Sequence, residues 1–199
     1  MHESAIKSFE LFNKTYLNSP ENLHVIEIGS QNVNSSVKEL IDKNFKYIGV
    51  DIAPGDNVDI VLKDPYKFPI DDNSIDVVIS ISTFEHVDFF WLTFLEILRV
   101  LKKDGLLITY TPDWETQFKN FYDDETHVKP YTTISLKQTH LKHGYNFLFT
   151  EKFYQLPITW KYPIVKLFCK LIALMTPIRS KNKFLRFSKE LMILSVGKK

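Results

Sequence analysis

Short apolar runs alternate with polar, turn-rich stretches through most of the chain. The run 25–28 (VIEI) precedes apolar residues at helical spacing within 37–41, and a second run, 47–50 (YIGV), ends on Asp51. A strand, a helix and a parallel strand in this order form a βαβ unit. Because both strands end at one edge of the sheet, where open α/β sheets bind ligands, the stretch 25–51 predicts a ligand site.

The rest of the pattern predicts an α/β domain with seven strands, the first five alternating with helices. A β-branched run at 75–81 is typical of a central strand that is buried on both faces. Residues 1–22 predict an N-terminal helix, and the polar, aromatic stretch 113–133 predicts a functional lid. The other predicted strands lie within 58–64, 106–110, 145–153 and 191–196, and further helices lie at 91–101, closed by Lys102, Lys103 and Gly105, and at 134–143.

Composition narrows the class of protein. The chain has 199 residues, a net charge of +1 and one cysteine, Cys169, which excludes an internal disulfide framework and fits a reducing cytosol. The first residues lack the pattern of a secretory signal, and no apolar run is long enough for a membrane span. We therefore expect a cytoplasmic protein that has no cysteine metal cluster and, on the residues alone, no metal site.

Charge is distributed unevenly along the chain, and basic residues are concentrated near the C-terminus. The segment 152–189 carries nine Lys or Arg and no Asp or Glu, whereas the remainder carries 16 basic and 24 acidic residues. Within it, 164–175 (IVKLFCKLIALM) reads as an apolar helix with Lys166 and Lys170 on one stripe. We predict a helical insertion at 154–189. Contact with the inner face of an anionic membrane or a lipid-like acceptor and packing on the core or in a homodimer both stay open, while nucleic acid is disfavoured.

Several short motifs together resemble the class I S-adenosylmethionine-dependent methyltransferases, particularly the type 11 branch. They cover 23–150 and 190–197, in the family's order. The motifs are Glu27-Ile28-Gly29 after the first strand, Asp51 after the second, Asp64 after the third, Phe84-Glu85-His86 after the fourth, the stretch 99–109 (RVLKKDGLLIT), and His127 with Thr132-Thr133 and Gly144-Tyr145.

The resemblance implies a single-domain, doubly wound, mostly parallel sheet of seven strands with the last strand antiparallel. It also implies S-adenosylmethionine as cofactor and S-adenosylhomocysteine as product. Asp51 would hold the ribose hydroxyls, Asp64 the adenine amine, and Ile52 and Phe84 the adenine ring. Glu27 would anchor the first loop or receive the cofactor's ammonium, and the remaining cofactor residues would be Gly29, Ser30, Gln31 and Ser82.

The first loop departs from the family pattern. Gln31 and Val33 stand where the family carries further glycines, which let the backbone approach the cofactor. Asn32 and Asn34 tolerate left-handed torsions, so we expect a reshaped loop.

Methyl transfer is an in-line displacement that depends mainly on alignment of the acceptor. His86 and His127 are the candidates for a general base or for acceptor positioning, because imidazole titrates near neutrality. An ordinary role at a helix start stays open for His86, which is expected to pack near the cofactor more than to act as a base, and an ordinary loop role stays open for His127. His140 and His143 are expected to face solvent. The predicted acceptor is a small molecule, a sugar or a lipid-linked compound.

The sequence leaves one other class of protein open and disfavours a second. A non-catalytic cofactor-fold module at a membrane surface is the alternative, because the first loop is poor in glycine. A nicotinamide-dependent oxidoreductase requires G-x-G-x-x-G after the first strand, and the sequence EIGSQNV lacks it.

Overall fold

A computed structural model describes residues 22–31, 37–41, 43–156, 158–175 and 182–199. Within these residues one sheet contains seven strands in the order β3-β2-β1-β4-β5-β7-β6. β7 runs antiparallel to both of its neighbours, and the other described pairs are parallel. The predicted fold class, including the antiparallel last strand, is confirmed. The strands are β1 (His24–Ile28), β2 (Lys46–Asp51), β3 (Ile60–Val61), β4 (Ile75–Ile81), β5 (Leu101–Pro112), β6 (Asn146–Tyr154) and β7 (Leu191–Lys198).

The core lies on both faces of the central strands, as the β-branched run of β4 predicts. Ile26 and Val78 belong to a cluster on one face, and Val25 and Val77 belong to a cluster on the other. Since successive side chains of a strand point to opposite faces, a strand that is buried on both faces needs the continuous apolar run found here.

Helices cover the sheet and connect its strands. The capping box that joins the side chain and backbone of Thr132 to those of Ser135 begins α3. The helices are α1 (Phe90–Val100), α2 (Trp114–Gln117), α3 (Thr133–Lys142), α4 (Ile158–Lys161), α5 (Pro163–Met175) and α6 (Lys183–Phe187), with short 3₁₀ turns at Val37–Leu40, Phe84–His86 and Phe121–Asp123.

Three local predictions were wrong. β3 has two residues instead of a longer strand, and the described links between β2, β3 and β4 contain no helix. Lys102 to Gly105 do not end a helix, because β5 begins at Leu101, directly after α1, and Asp104 takes the positive φ of 68°. Of the helix predicted after β1, the structure describes only the turn at Val37–Leu40. The N-terminal helix predicted at 1–22 falls almost wholly outside the described residues.

His140 is buried, although its place in a polar helix predicted exposure. Its ring is 0% exposed and packs against Phe94 and Tyr145. Neither ring nitrogen has a hydrogen-bond partner among the described residues, and burial lowers the pKa of His140 to about 4. The cause is tertiary: α3 packs over β7, where Gly197 leaves room for the imidazole.

α4, α5 and α6 lie in sequence between β6 and β7, within the range of the predicted insertion. In the described part of the chain, no helix has the length and apolar character needed to cross a membrane.

Candidate active site

An open cleft of about 620 Å³ lies at the carboxyl ends of β1, β2 and β4. Its volume is within the range of small-molecule and cofactor sites. Six of the predicted site residues line it, and they come from the three loops that follow these strands. The six are Gly29, Gln31, Asp51, Ile52, Ser82 and His86.

Gly29 forms the floor of the cleft in a conformation that requires glycine. Its φ is +74°, and a Cβ built there would lie 2.1 Å from the Oγ1 atom of Thr83. The Thr83 hydroxyl in turn donates to the backbone oxygen of Ile28, 3.1 Å away. The turn after β1 is therefore held tightly against the loop after β4, which leaves its backbone accessible to a ligand.

The carboxylate of Asp51 joins two of the loops. One oxygen accepts from the backbone N–H of Gln31 at 3.0 Å, and the other accepts from the N–H groups of Ile52 and Ala53 at 2.7 and 3.3 Å. Ile52 itself is 68% exposed beside it. A partly exposed carboxylate next to an exposed apolar side chain suits a ribose diol that carries a flat base.

Glu27 supports the site from behind the cleft. Its side chain is 0% exposed, and one carboxylate oxygen accepts a hydrogen bond from the hydroxyl of Tyr47. The other oxygen is buried without a hydrogen-bond partner among the described residues. Burial raises the pKa of Glu27 to about 7. Of the two roles left open for Glu27, this geometry favours the anchor.

Three further predicted cofactor residues are not brought into the cleft. Phe84 is 1% exposed and packs against Phe94 with ring centroids 4.8 Å apart, because the 3₁₀ turn at Phe84–His86 directs its ring into the core. Asp64 accepts from the backbone N–H of Tyr66 in a local turn beside the cleft. Ser30 is buried below the loop, against Gly49.

The loop after β4 contains a residue with a strained backbone and a histidine that lines the cleft. Ser82 has a φ of 52°, which is uncommon for a residue with a side chain and is concentrated at functional sites. His86 lines the cleft, and the ring of His127 lies against it with centroids 4.7 Å apart, although His127 does not itself line the cleft. Partial desolvation, followed by the nearby imidazole of His127, lowers the pKa of His86.

The predicted lid reaches the cleft through Thr126. Its hydroxyl lies 2.8 Å from Nδ1 of His86, and the backbone N–H groups of Val128 and Lys129 donate to the backbone oxygen of Glu85. The segment 113–133 is therefore attached to the loop after β4 and contributes Thr126 to the lining of the cleft.

Sequence reasoning missed several lining residues. Thr126 lies in the predicted lid but bears no motif, and Tyr66 follows the Asp64-Pro65 pair that could have drawn attention to it. The missed lining residues are Ile28, Leu62, Pro65, Tyr66, Ile81, Thr83, Val87, Asp88, Thr93 and Thr126.

Comparison with known proteins gives the same class. The family model of the type 11 methyltransferase domain matches residues 20–109. A sterol 4-C-methyltransferase, strm-1, of Caenorhabditis elegans is 28% identical over 146 residues, 64% of this chain and 43% of the relative. The chain thus spans less than half the length of that relative.

Solved structures share the fold. A SAM-dependent methyltransferase from Archaeoglobus fulgidus superposes with a TM-score of 0.64 at 18% identity, covering 98% of this chain and 94% of the other. Phosphoethanolamine N-methyltransferase 2 of Haemonchus contortus, in complex with phosphomonomethylethanolamine and S-adenosylhomocysteine, gives 0.63 at 14% identity, covering 96% and 52%.

The resemblance drawn from the motifs is confirmed: residues 20–109 match the methyltransferase domain model, and the chain shares the fold of solved S-adenosylmethionine-dependent methyltransferases. S-adenosylmethionine is the cofactor of this class, as predicted. The cleft fits that cofactor, because the turn at Gly29, with a φ of +74°, lines it with backbone and the carboxylate of Asp51 stands at the end of β2.

Proposed function

We propose that the chain transfers the methyl group of S-adenosylmethionine to a small-molecule or lipid-linked acceptor that enters the cleft beside His86. The observation that carries this proposal is the placement of Asp51 and His86 in one open cleft. They follow β2 and β4, which are separated only by β1. Since strands are spaced by about 4.8 Å, the two sites lie on the order of 10 Å apart, which suits a nucleoside at one end and an acceptor at the other.

Different residues serve the nucleoside end and the acceptor end of the cleft. Asp51 accepts from the ribose hydroxyls, Ile52 covers one face of the adenine, and the backbone at Gly29 approaches the amino-acid part. The bound cofactor supplies an activated methyl group, so the protein's main task is to align the acceptor. His86, supported by His127, positions the acceptor or receives its proton.

The similarity to a sterol methyltransferase supports a lipid acceptor. A methyl-transfer screen tests the activity: labelled cofactor is incubated with protein and with fractions of a cell extract, including the lipid fraction. We expect label in one fraction with the wild type and at least tenfold less with Asp51→Ala. Binding of S-adenosylhomocysteine without transfer into any fraction would instead support the alternative, a non-catalytic cofactor-binding module.

A second feature favours work at a membrane. α5 turns an apolar face outward, with Ile164, Leu174 and Met175 exposed by 67%, 84% and 88%, while Cys169 faces the protein and is buried. An ordinary surface helix buries its apolar face instead. The remaining exposed apolar residues of this face are Leu167, Phe168 and Leu171.

The charges around α5 suit anionic lipid. Lys166 and Lys170 are exposed along one side of the apolar face, and each basic group near such a surface contributes about 1 kcal/mol. At 13 residues, α5 is about 20 Å long, so it would lie in the interface and not span the bilayer. We therefore propose that the protein works at the cytoplasmic face of a membrane, with α5 as its contact.

Co-sedimentation with vesicles tests this. We expect binding to vesicles of phosphatidylcholine and phosphatidylglycerol, weakened by salt, and little binding to pure phosphatidylcholine. Phe168→Glu should abolish binding, whereas Leu148→Glu, at an exposed apolar position of β6, should not. A homodimer that Phe168→Glu converts to a monomer, with no vesicle binding by the wild type, would refute the membrane contact.

A further inference from the structure

Three potential metal ligands meet where the loop after β4 touches the lid. Glu85, His86 and His127 each offer one ligand atom, and these atoms all lie within 4.8 Å of one another. Atoms bound to one metal ion at about 2.1 Å are separated by roughly 3–3.5 Å. Small rotations of the exposed His86 ring and of the His127 ring, whose side chain is 15% exposed, would close the remaining gap.

Both imidazoles are oriented by the contacts that metal-bound histidines usually make. Nδ1 of His127 lies 2.7 Å from the backbone oxygen of Phe121, and Nδ1 of His86 lies 3.3 Å from that of Thr126. A carbonyl accepts only from a protonated nitrogen, so these contacts favour the Nδ1–H tautomers and leave the Nε2 lone pairs available. Such outer contacts fix the ligand orientation in many metal sites.

The carboxylate of Glu85 provides an independent observation. Glu85 is 1% exposed, and its Oε2 atom is buried without a hydrogen-bond partner among the described residues. A buried carboxylate oxygen without a partner is costly unless it is paired or coordinates a metal. A second carboxylate stands close by, because Oδ2 of Asp124 lies 3.9 Å from Nε2 of His127.

We propose that Glu85, His86 and His127 bind a divalent transition-metal ion at the acceptor end of the cleft. Two imidazoles and one carboxylate suit zinc, iron(II) or manganese(II) and leave open positions. Because His86 lines the cleft, an acceptor oxygen could fill one of those positions. The acceptor would then be a hydroxyl compound whose pKa the cation lowers, so that its proton passes to solvent water. As metal ligands, His86 and His127 would position the acceptor and would not receive its proton. This role rests on the proposed function; the binding of the metal does not.

Zn²⁺ titration of the metal-stripped chain by calorimetry tests the site, with the visible absorption of Co²⁺ as a second readout. We expect one equivalent to bind with a Kd of about 10 µM or tighter. Glu85→Gln and His127→Gln should each weaken binding at least tenfold. His143→Gln is the matched control: this histidine follows α3, outside the cluster, and its loss should leave binding unchanged. Circular dichroism establishes that each variant is folded, and His127→Gln, at the less buried position, keeps the test valid if Glu85→Gln unfolds.

Absence of stoichiometric binding by the folded wild type, or equal losses in His143→Gln and His127→Gln, would overturn the metal site. Binding of S-adenosylhomocysteine is measured separately in the presence of EDTA. Cofactor binding without metal binding refutes only the metal site, whereas the loss of cofactor binding in folded protein counts against the proposed function.

Discussion

Replacement of Asp51 tests most directly whether the cleft binds the cofactor as a nucleoside. The carboxylate stands at the end of β2 and already accepts backbone hydrogen bonds from Gln31 and Ile52. A ribose diol can donate to the same two oxygens, and each charge-assisted hydrogen bond contributes about 1.5–3 kcal/mol. Since 1.4 kcal/mol corresponds to a factor of ten, the loss of one such bond weakens binding by about 10- to 150-fold.

Two substitutions of Asp51 separate the effect of its charge on binding from its support of the neighbouring loops. Asp51→Asn keeps one carbonyl oxygen, which can still accept from Ile52, so its effect reports mainly the charge. Asp51→Ala also releases the N–H of Gln31 and should weaken binding further. Calorimetric titration with S-adenosylhomocysteine measures both, and Asp71→Asn, an exposed loop carboxylate that does not line the cleft, is the control.

The reasoning fails if Asp51→Asn and Asp51→Ala both bind within twofold of the wild type while remaining folded. The ribose would then have to be held elsewhere in the cleft, and the assignment of Asp51 would be wrong. An equal loss in Asp71→Asn would show that the effect is a general one of surface charge.

Three further predictions concern the free energy of unfolding, measured by chemical denaturation. Gly29→Ala should lower the free energy of unfolding by about 1–3 kcal/mol, because of the positive φ and the clash with Thr83. The double variant with Thr83→Ala should recover only the part of this loss that is due to the clash. Full recovery would show that the positive φ causes no backbone strain. His140 has a pKa of about 4 when folded and an ordinary value of 6.5. The buried neutral imidazole therefore contributes to the free energy of unfolding above pH 6.5, and this contribution is lost as the pH falls through 4. At about 1.4 kcal/mol per pKa unit this loss amounts to about 3 kcal/mol. His140→Leu should reduce the loss of stability between pH 6.5 and 4, and an unchanged loss would refute the role of His140. Glu27, with a folded pKa of about 7 against 4.5, acts oppositely: its contribution, present below pH 4.5, is lost as the pH rises through 7, and Glu27→Gln should remove that loss.

The core strands could be predicted because their signal is local. A run such as 75–81 is apolar at every position, and only a strand covered on both faces accommodates that. The same holds for Gly29 and Asp51, whose places at strand ends follow from where the apolar runs stop. Since the carboxyl ends of parallel strands share one edge, these residues had to lie close together.

Side-chain direction after a strand could not be predicted in the same way. The sequence Phe84-Glu85-His86 does not state which of three successive side chains enters the cleft. The 3₁₀ turn decides it, sending the ring of Phe84 into the core and His86 into the cleft. The pairing of His86 with His127 likewise depends on how the lid folds back over β4.

By itself, then, the sequence determined the sheet, the edge at which the cleft lies and the resemblance to a methyltransferase family, because periodicity and strand-end residues are local properties of the chain. Only the tertiary structure decided that His140 is buried, that α5 turns its apolar face outward, and that Glu85 joins two histidines. These features depend on contacts between residues distant in sequence, and neither propensity nor spacing encodes such contacts.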